Sequence, residues 1–429
     1  MAMKPPSGAL ASRNFRLLLG CDVIAGTGNA VAIVAIPLAV LAIGGSAADV
    51  GYVASAALVP MIALLLVGGV VADRVPRHQV MMAANAVQGA AQAAAAILVL
   101  TGYARVAELL VFSAVRGAGL GLYLPAAQGL LPQTVPADHR VQANVVDRIG
   151  RNGAQIVGTA LGGILVAAAG PGWGLAADAI GFAAAAALRA GMRFDPRRAG
   201  SVPAGATPGM LAQMREGWHE FLARSWLWVI VAEFALLSAI TTAVVSVLGP
   251  LVAHESLGGA RSWGFILSAY AVGAVVGGVA MIRLRPRRML LVASVAVAMF
   301  SVLLFALAVP LSLPLIAAAA LVVGVCTEVF AVNWVTTMQQ EIPRNMLSRM
   351  SAFDAMGNFA LAPAGVAIAG PVAAAIGLPA TLAGGGLVIV ALSCVVLLVP
   401  EVRQLRRRAP DPDAPHLAAP DLAAHSNEA

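Results

Sequence analysis

The sequence predicts an all-α membrane protein of twelve transmembrane helices arranged as two six-helix pseudo-repeats. Composition, the spacing of charge-free runs and a relation between the chain's two halves predict it. Of 429 residues, 60% are hydrophobic and 11% charged, and the mean hydropathy is +0.87, far from the balance of a water-soluble domain. A bilayer core of about 30 Å takes about 20 apolar residues per helix. Charge-free runs of that order occupy 50–72, 78–104, 117–137, 152–177, 234–254, 262–282, 289–327 and 355–400. The last two are double length and carry turn signals, Pro310 to Pro314 in one and Gly377 with Pro379 in the other, so each reads as two spans. The ten-residue alternation of a transmembrane barrel is absent from the sequence.

Adding spans interrupted by a single charge places the twelve at 15–43, 48–73, 78–101, 106–131, 143–169, 172–190, 226–253, 262–283, 288–308, 313–337, 350–376 and 379–399. The first begins too close to the N-terminus, and runs too long, to be a cleaved signal peptide. These spans divide the chain into a bundle over 1–191, a middle loop over 192–225, a second bundle over 226–399 and a disordered tail over 400–429. The middle loop starts rich in Pro, Gly and Arg. It then sets Leu211, Met214, Trp218, Phe221 and Leu222 at helical spacing opposite Arg215, Glu216, His219 and Glu220. That pattern fits a helix in the membrane interface or one packed on the protein.

On this threading all 27 basic residues except Arg105, Arg116 and Arg261 fall on the side of the termini. The positive-inside rule then predicts a multi-pass protein of the plasma (inner) membrane with both termini cytoplasmic. The net charge of +7 is a topology signal, and no nucleic-acid partner is expected. Cys21, Cys326 and Cys394 lie within spans and read as packing residues. Neither a GxxxxGK[ST] phosphate cradle, nor a metal-ligand cluster, nor a catalytic triad stands in the sequence, so no cofactor, no metal, no enzyme and no ATP-driven pump is expected.

The two halves align with one another. At an offset of 209, Gly68, Gly69, Val70 and Arg74 fall on Gly277, Gly278, Val279 and Arg283. At 207, Gln133, Pro136, Asp147, Gly150, Gly158, Gly163 and Gly170 fall on Gln340, Pro343, Asp354, Gly357, Gly365, Gly370 and Gly377. Acids are rare in this chain, so the Asp147–Asp354 match carries more weight than the glycines.

Six plus six helices with a basic middle loop resemble the major facilitator superfamily. The loop GGVVADRVPRH after span two is similar to that superfamily's signature, with Gly69, Asp73, Arg74 and Arg77 in place and Pro76 where the family has a second glycine. The resemblance implies an inner-gate charge network in which Asp73 and Arg74 meet Asp354, with Asp147 as its repeat mate. NFRLLLG at the start, the Val135–Pro136 and Ile342–Pro343 turns, and REGWHEFLARSWLW before span seven resemble the drug-efflux branch that holds macrolide exporters and the enterobactin exporter. GTALGG in span five, with Gly158, Gly162 and Gly163, is similar to the exporter motif GPxxGG, and implies close packing at the interface of the halves.

Ionisable residues inside a span cost about 2.5–3.5 kcal/mol on insertion scales and are functional candidates by default. Here they are Asp22, Arg116, Asp178, Glu233 and Glu328. Arg116, followed by GAGLG, resembles the arginine motif that the family links to proton coupling. Asp22 and Glu233 lie equally deep in equivalent helices and are expected to line the cavity as protonation or cation sites. Glu328, near Asn333 and Trp334, is a third candidate. Asp178 ranks behind them because the sixth helix of this fold often faces lipid. A satisfied helix–helix hydrogen bond is the structural alternative for each acid. The sequence thus predicts a monomeric secondary transporter in the lipid bilayer that couples protons to export of an amphipathic small-molecule substrate. Uptake or facilitated diffusion of a metabolite, and a non-transporting receptor or scaffold, are the alternatives.

Overall fold

The computed structural model describes residues 8–136, 139–192, 218–284, 286–309, 311–343, 346, 350, 353–354, 356–358 and 360–405; for 66–67, 69–70, 72–74, 128–129, 132, 141 and 282 it describes the backbone alone. Twelve helices are long and apolar enough to cross a membrane. They are α1 (Arg13–Ala42), α2 (Ala47–Arg74), α3 (Arg77–Thr101), α4 (Val106–Thr134), α5 (Arg140–Ala169), α6 (Pro171–Ala190), α7 (Ser225–Ser256), α8 (Ala260–Arg283), α9 (Met289–Ala308), α10 (Leu313–Glu341), α11 (Met356–Ile376) and α12 (Leu378–Leu398). Successive spans alternate in direction, so α1 begins and α12 ends on one face, called here the terminal face.

The helix ends follow from local chemistry. The Ser12 hydroxyl caps α1 by accepting from the Phe15 amide (3.3 Å). Ser46 and Asp49 form a reciprocal capping box at the start of α2. Gly170 (φ 90°) and Gly377 (φ 88°) turn the chain between α5 and α6 and between α11 and α12, a left-handed conformation that favours glycine. These two residues are paired by the 207-residue offset, so the repeat extends to backbone conformation. In α7, Pro250 removes an amide donor and the ladder loosens into a π segment over Val244–Leu248.

Within the first half α2 packs on α4, α1 on α5 and α6, and α3 on α4 and α6; within the second α8 and α9 pack on α10, α9 on α12, and α7 on α11. The halves meet along two seams, α5 with α8 and α2 with α11. Without a hydrophobic driving force between helices in lipid, such seams rest on van der Waals packing through small residues. A side chain at Gly163 would meet the Ala260 carbonyl (2.9 Å) and Gly264 Cα (3.0 Å), and one at Gly370 would overlap the Ala47 carbonyl and meet Ala48 Cα (2.8 Å). Gly163 and Gly370 are repeat mates, and the two seams are therefore related by the same pseudo-symmetry. Gly158 and Gly162 correct the expectation that all three glycines of GTALGG pack between the halves. They face Thr27, Ala30 and Val31 of α1, inside the first half. Residues four apart share a helix face, and Gly163 is turned about 100° from that face toward α8.

One further expectation changes at the chain's C-terminal end. The tail does not become irregular at residue 400: Pro400–Gln404 is a short helix, α13, with Val402 buried. Its Glu401 carboxylate accepts from the Trp226 amide (3.0 Å) at the start of α7, which anchors it. Residues 406–429 lie outside the described residues. So does most of the amphipathic run of the middle loop, but its end packs on the protein, with Trp218 and Phe221 stacked (5.4 Å) and both against Phe353.

Candidate functional site

The charged side chains of the first half form two separate networks. Asp22, three turns into α1, is 5% exposed. Its carboxylate accepts from Tyr123 of α4 (2.9 Å), Arg151 of α5 (3.0 Å) and Arg189 of α6 (2.6 Å). Arg151 also pairs with Asp147 one turn earlier on α5 (2.9 Å), and Arg189, fully buried, donates to the Tyr123 hydroxyl (2.9 Å). Two carboxylates thus balance two guanidinium groups in a network that ties α1, α4, α5 and α6. The sequence places Asp22 as a cavity-lining proton site. The structure sets it in an ion-pair network with Arg151 of α5 and Arg189 of α6.

The second network lies further from the terminal face. Arg116 of α4 donates to the Asn29 side chain of α1, and its Nε is 3.8 Å from Asp178 of α6. Gly28 admits the backbone of α6 at close range (Asp178 Cα 3.0 Å from an added Cβ). Asp178 is fully buried, so on this face α6 turns away from lipid, and Gly28 leaves room for its close approach. On α3, Asn85, Gln88 and Gln92 are also buried, spaced about one per turn.

The second half is arranged differently. Glu233 of α7, symmetric with Asp22 by depth, is 4% exposed and accepts a hydrogen bond from Ser393 of α12 (2.9 Å). Among the described residues no cation forms a salt bridge with it. Asn333 and Trp334, the candidates named with Glu328, are buried: Asn333 donates to the Val329 carbonyl (2.7 Å), and Trp334 sits in an aromatic ladder with Phe330 and Trp226. Phe234 of α7 extends that ladder by stacking on Phe330 (4.6 Å).

Polar contacts cross both seams of the halves, and on the α2–α11 seam the Ser55 hydroxyl donates to the Pro363 carbonyl (3.1 Å). The hydroxyls of Thr159 (α5) and Ser268 (α8) are hydrogen-bonded at 2.9 Å. Closer to the terminal face, Arg148 of α5 donates to Glu328 of α10 (2.6 Å), so the third acid candidate faces a guanidinium of the opposite half. Sequence reading counts Arg148, Arg151 and Arg189 only as basic residues flanking the membrane. The i,i+4 spacing of Asp147 and Arg151 was the one local signal of a pair. Of the gate signature, the side chains of Gly69, Asp73 and Arg74 lie outside the described residues; Arg77 opens α3, and half-buried Asp354 is hydrogen-bonded by the Trp334 side chain.

A family model described as transmembrane secretion effector matches residues 5–428. The chain belongs to the major facilitator superfamily. As a facilitator it is a multi-pass membrane transporter and not an enzyme. It is similar to the multidrug efflux pump Tap of Mycobacterium tuberculosis (strain ATCC 25618 / H37Rv), with 30% identity over 407 residues, 91% of this chain and 94% of that protein. It is also similar to the enterobactin exporter EntS of Salmonella typhi, with 27% identity over 368 residues, 82% of this chain and 83% of that protein. The nucleoside transporter NupG superposes with a TM-score of 0.70 at 13% identity, covering 90% of this facilitator and 98% of that chain. The peptide transporter POT in complex with sulfate does so with a TM-score of 0.71 at 14% identity, covering 92% and 96%. At such identities the likeness shows the fold alone.

Proposed function

We propose that this facilitator exports an amphipathic small molecule, such as a drug, antibiotic or siderophore, in exchange for protons. The two halves rock about the α2–α11 and α5–α8 seams and open the transport path alternately to either side. The concentration of arginine toward the terminal face supports a cytoplasmic location for that face, and the efflux pump and exporter among the relatives support the outward direction.

The observation that carries proton coupling is the contrast among the acids. Asp22, Asp178 and Glu328 each face an arginine, whereas Glu233 faces a serine hydroxyl. A carboxylate without a cationic partner is the costly form inside a membrane, and taking up a proton relieves that cost. Glu233 is therefore the residue whose protonation follows access to one face or the other.

The test is substrate-induced proton movement in proteoliposomes loaded with a pH dye, with a panel of lipophilic antibiotics and siderophores. Addition of a transported compound is expected to drive protons, and Glu233→Gln is expected to cut that signal by about tenfold or more, the effect of removing the titrating group. Substrate flux without proton movement would replace the reading by facilitated diffusion. Absence of flux for the whole panel would favour a receptor or scaffold built on the same fold.

A further inference from the structure

The Arg148–Glu328 pair has two unequal members. The Arg148 side chain is 66% exposed and the Glu328 side chain 16% exposed, and they are joined at 2.6 Å although they belong to opposite halves. Glu328 follows a charge-free run from 289 to 327, and it packs toward Gly278 of α8, where a side chain's Cβ would lie 3.4 Å from its Cγ. On the same α8–α10 seam the Tyr270 hydroxyl donates to Thr327 (3.1 Å), giving an aromatic and polar wall beside the carboxylate.

When the halves part, Arg148 leaves with α5 and is rehydrated at little cost because it is already largely in solvent. Glu328 stays in the membrane without its cation, which is strongly unfavourable. Only another positive charge, or a proton, restores the balance. The geometry points to Glu328 as a cation-binding subsite of the transport path, with Arg148 as its built-in competitor: a lipophilic cation takes the place of the guanidinium. By linkage, a cation bound at Glu328 favours the arrangement in which the Arg148 contact is open, so occupancy of the subsite loosens one tie between the halves. The inference rests on the reading of this chain as an exporter of amphiphiles and adds the charge class for which one subsite is built.

The experiment is equilibrium binding to the full-length protein in detergent with two probes of similar size, tetraphenylphosphonium and uncharged triphenylphosphine oxide. Wild type is expected to bind the cation. Glu328→Gln is expected to weaken that binding by about tenfold or more, the worth of one charge-assisted contact, and to leave the neutral probe unchanged. Arg148→Gln, on the exposed side of the pair and safe for folding, is expected to tighten cation binding severalfold. The exchanged pair Arg148→Glu with Glu328→Arg restores the link between the halves and is expected not to recover cation binding, which separates a subsite from a purely structural bridge. Unchanged cation affinity in Glu328→Gln, or no tightening in Arg148→Gln, overturns the proposal. Binding of the neutral probe alone by wild type also overturns it and leaves the export reading standing. Binding of neither probe counts against the export reading and removes the subsite with it.

Discussion

Replacing Asp22 by alanine is expected to cost about 3–5 kcal/mol of folding stability, the range for breaking one side of a buried ion pair. The substitution strands Arg189, which is fully buried and cannot shed its proton. In wild type the Arg189 Nη2 donates to Asp22 (2.6 Å) and to the Tyr123 hydroxyl (2.9 Å); only the second of these bonds survives the change. Arg151 is less affected, because it is half exposed and keeps Asp147. Adding Arg189→Leu to Asp22→Ala removes the stranded charge, and the double variant is expected to regain much of the loss. Thermal unfolding of the purified variants in detergent checks both, arranged as a double-mutant cycle. A wild-type melting temperature for Asp22→Ala would show that the network does not hold α1, α4, α5 and α6 together. Glu233→Gln provides the contrast. No described cation depends on Glu233, so this variant is expected to melt within a few degrees of wild type while losing proton movement.

The second large effect is expected at the two seams. Gly163→Ala and Gly370→Ala each place a methyl group against backbone, at 2.9–3.0 Å from α8 in the first case and inside contact distance of the Ala47 carbonyl in the second. Backbone does not yield as a flexible side chain does, so the helices must separate. Overpacking of this kind costs about 1–3 kcal/mol, and a penalty that falls on one arrangement of the halves shifts their equilibrium by about fivefold to a hundredfold. Initial rates of substrate efflux from vesicles are therefore expected to fall by that factor, with the combined variant lower still. Gly153→Ala is the internal control on α5, since an added methyl there meets nothing within 4 Å. Equal rates in Gly163→Ala and Gly153→Ala would show that close approach at the α5–α8 seam does not limit the cycle.

Much of the architecture is legible in the sequence. Twelve spans follow from the length of apolar runs measured against the bilayer, and each of the twelve helices starts or stops within a few residues of a charge, a glycine or a proline. The 207-residue relation was legible because glycines at seams and turns leave little choice of residue. Gly170 and Gly377 share one backbone conformation, and Gly163 and Gly370 share one kind of contact. The intramembrane acids were equally visible, because in so apolar a chain each ionisable residue stands alone.

Their partners were not visible. Asp22 and Glu233 look equivalent along the sequence, at matching depth in matching helices, yet one is held by Arg151, Arg189 and Tyr123 and the other by Ser393. Arg189 lies 167 positions from Asp22 and Glu328 lies 180 from Arg148. Local periodicity carries no information over such separations. Asn333 and Trp334 show the same limit, since a residue's distance along a helix leaves open which neighbouring helix its side chain meets.

Twelve membrane-crossing helices in two related halves follow from residue order alone, because hydrophobic length, charge placement and small residues act locally and additively. Which acids are neutralised, by which arginines, and across which seam follows from how the helices pack in three dimensions. Electrostatic pairing depends on the relative rotation of packed helices, and a turn of about 100° per residue is enough to move a side chain from one neighbour to the next.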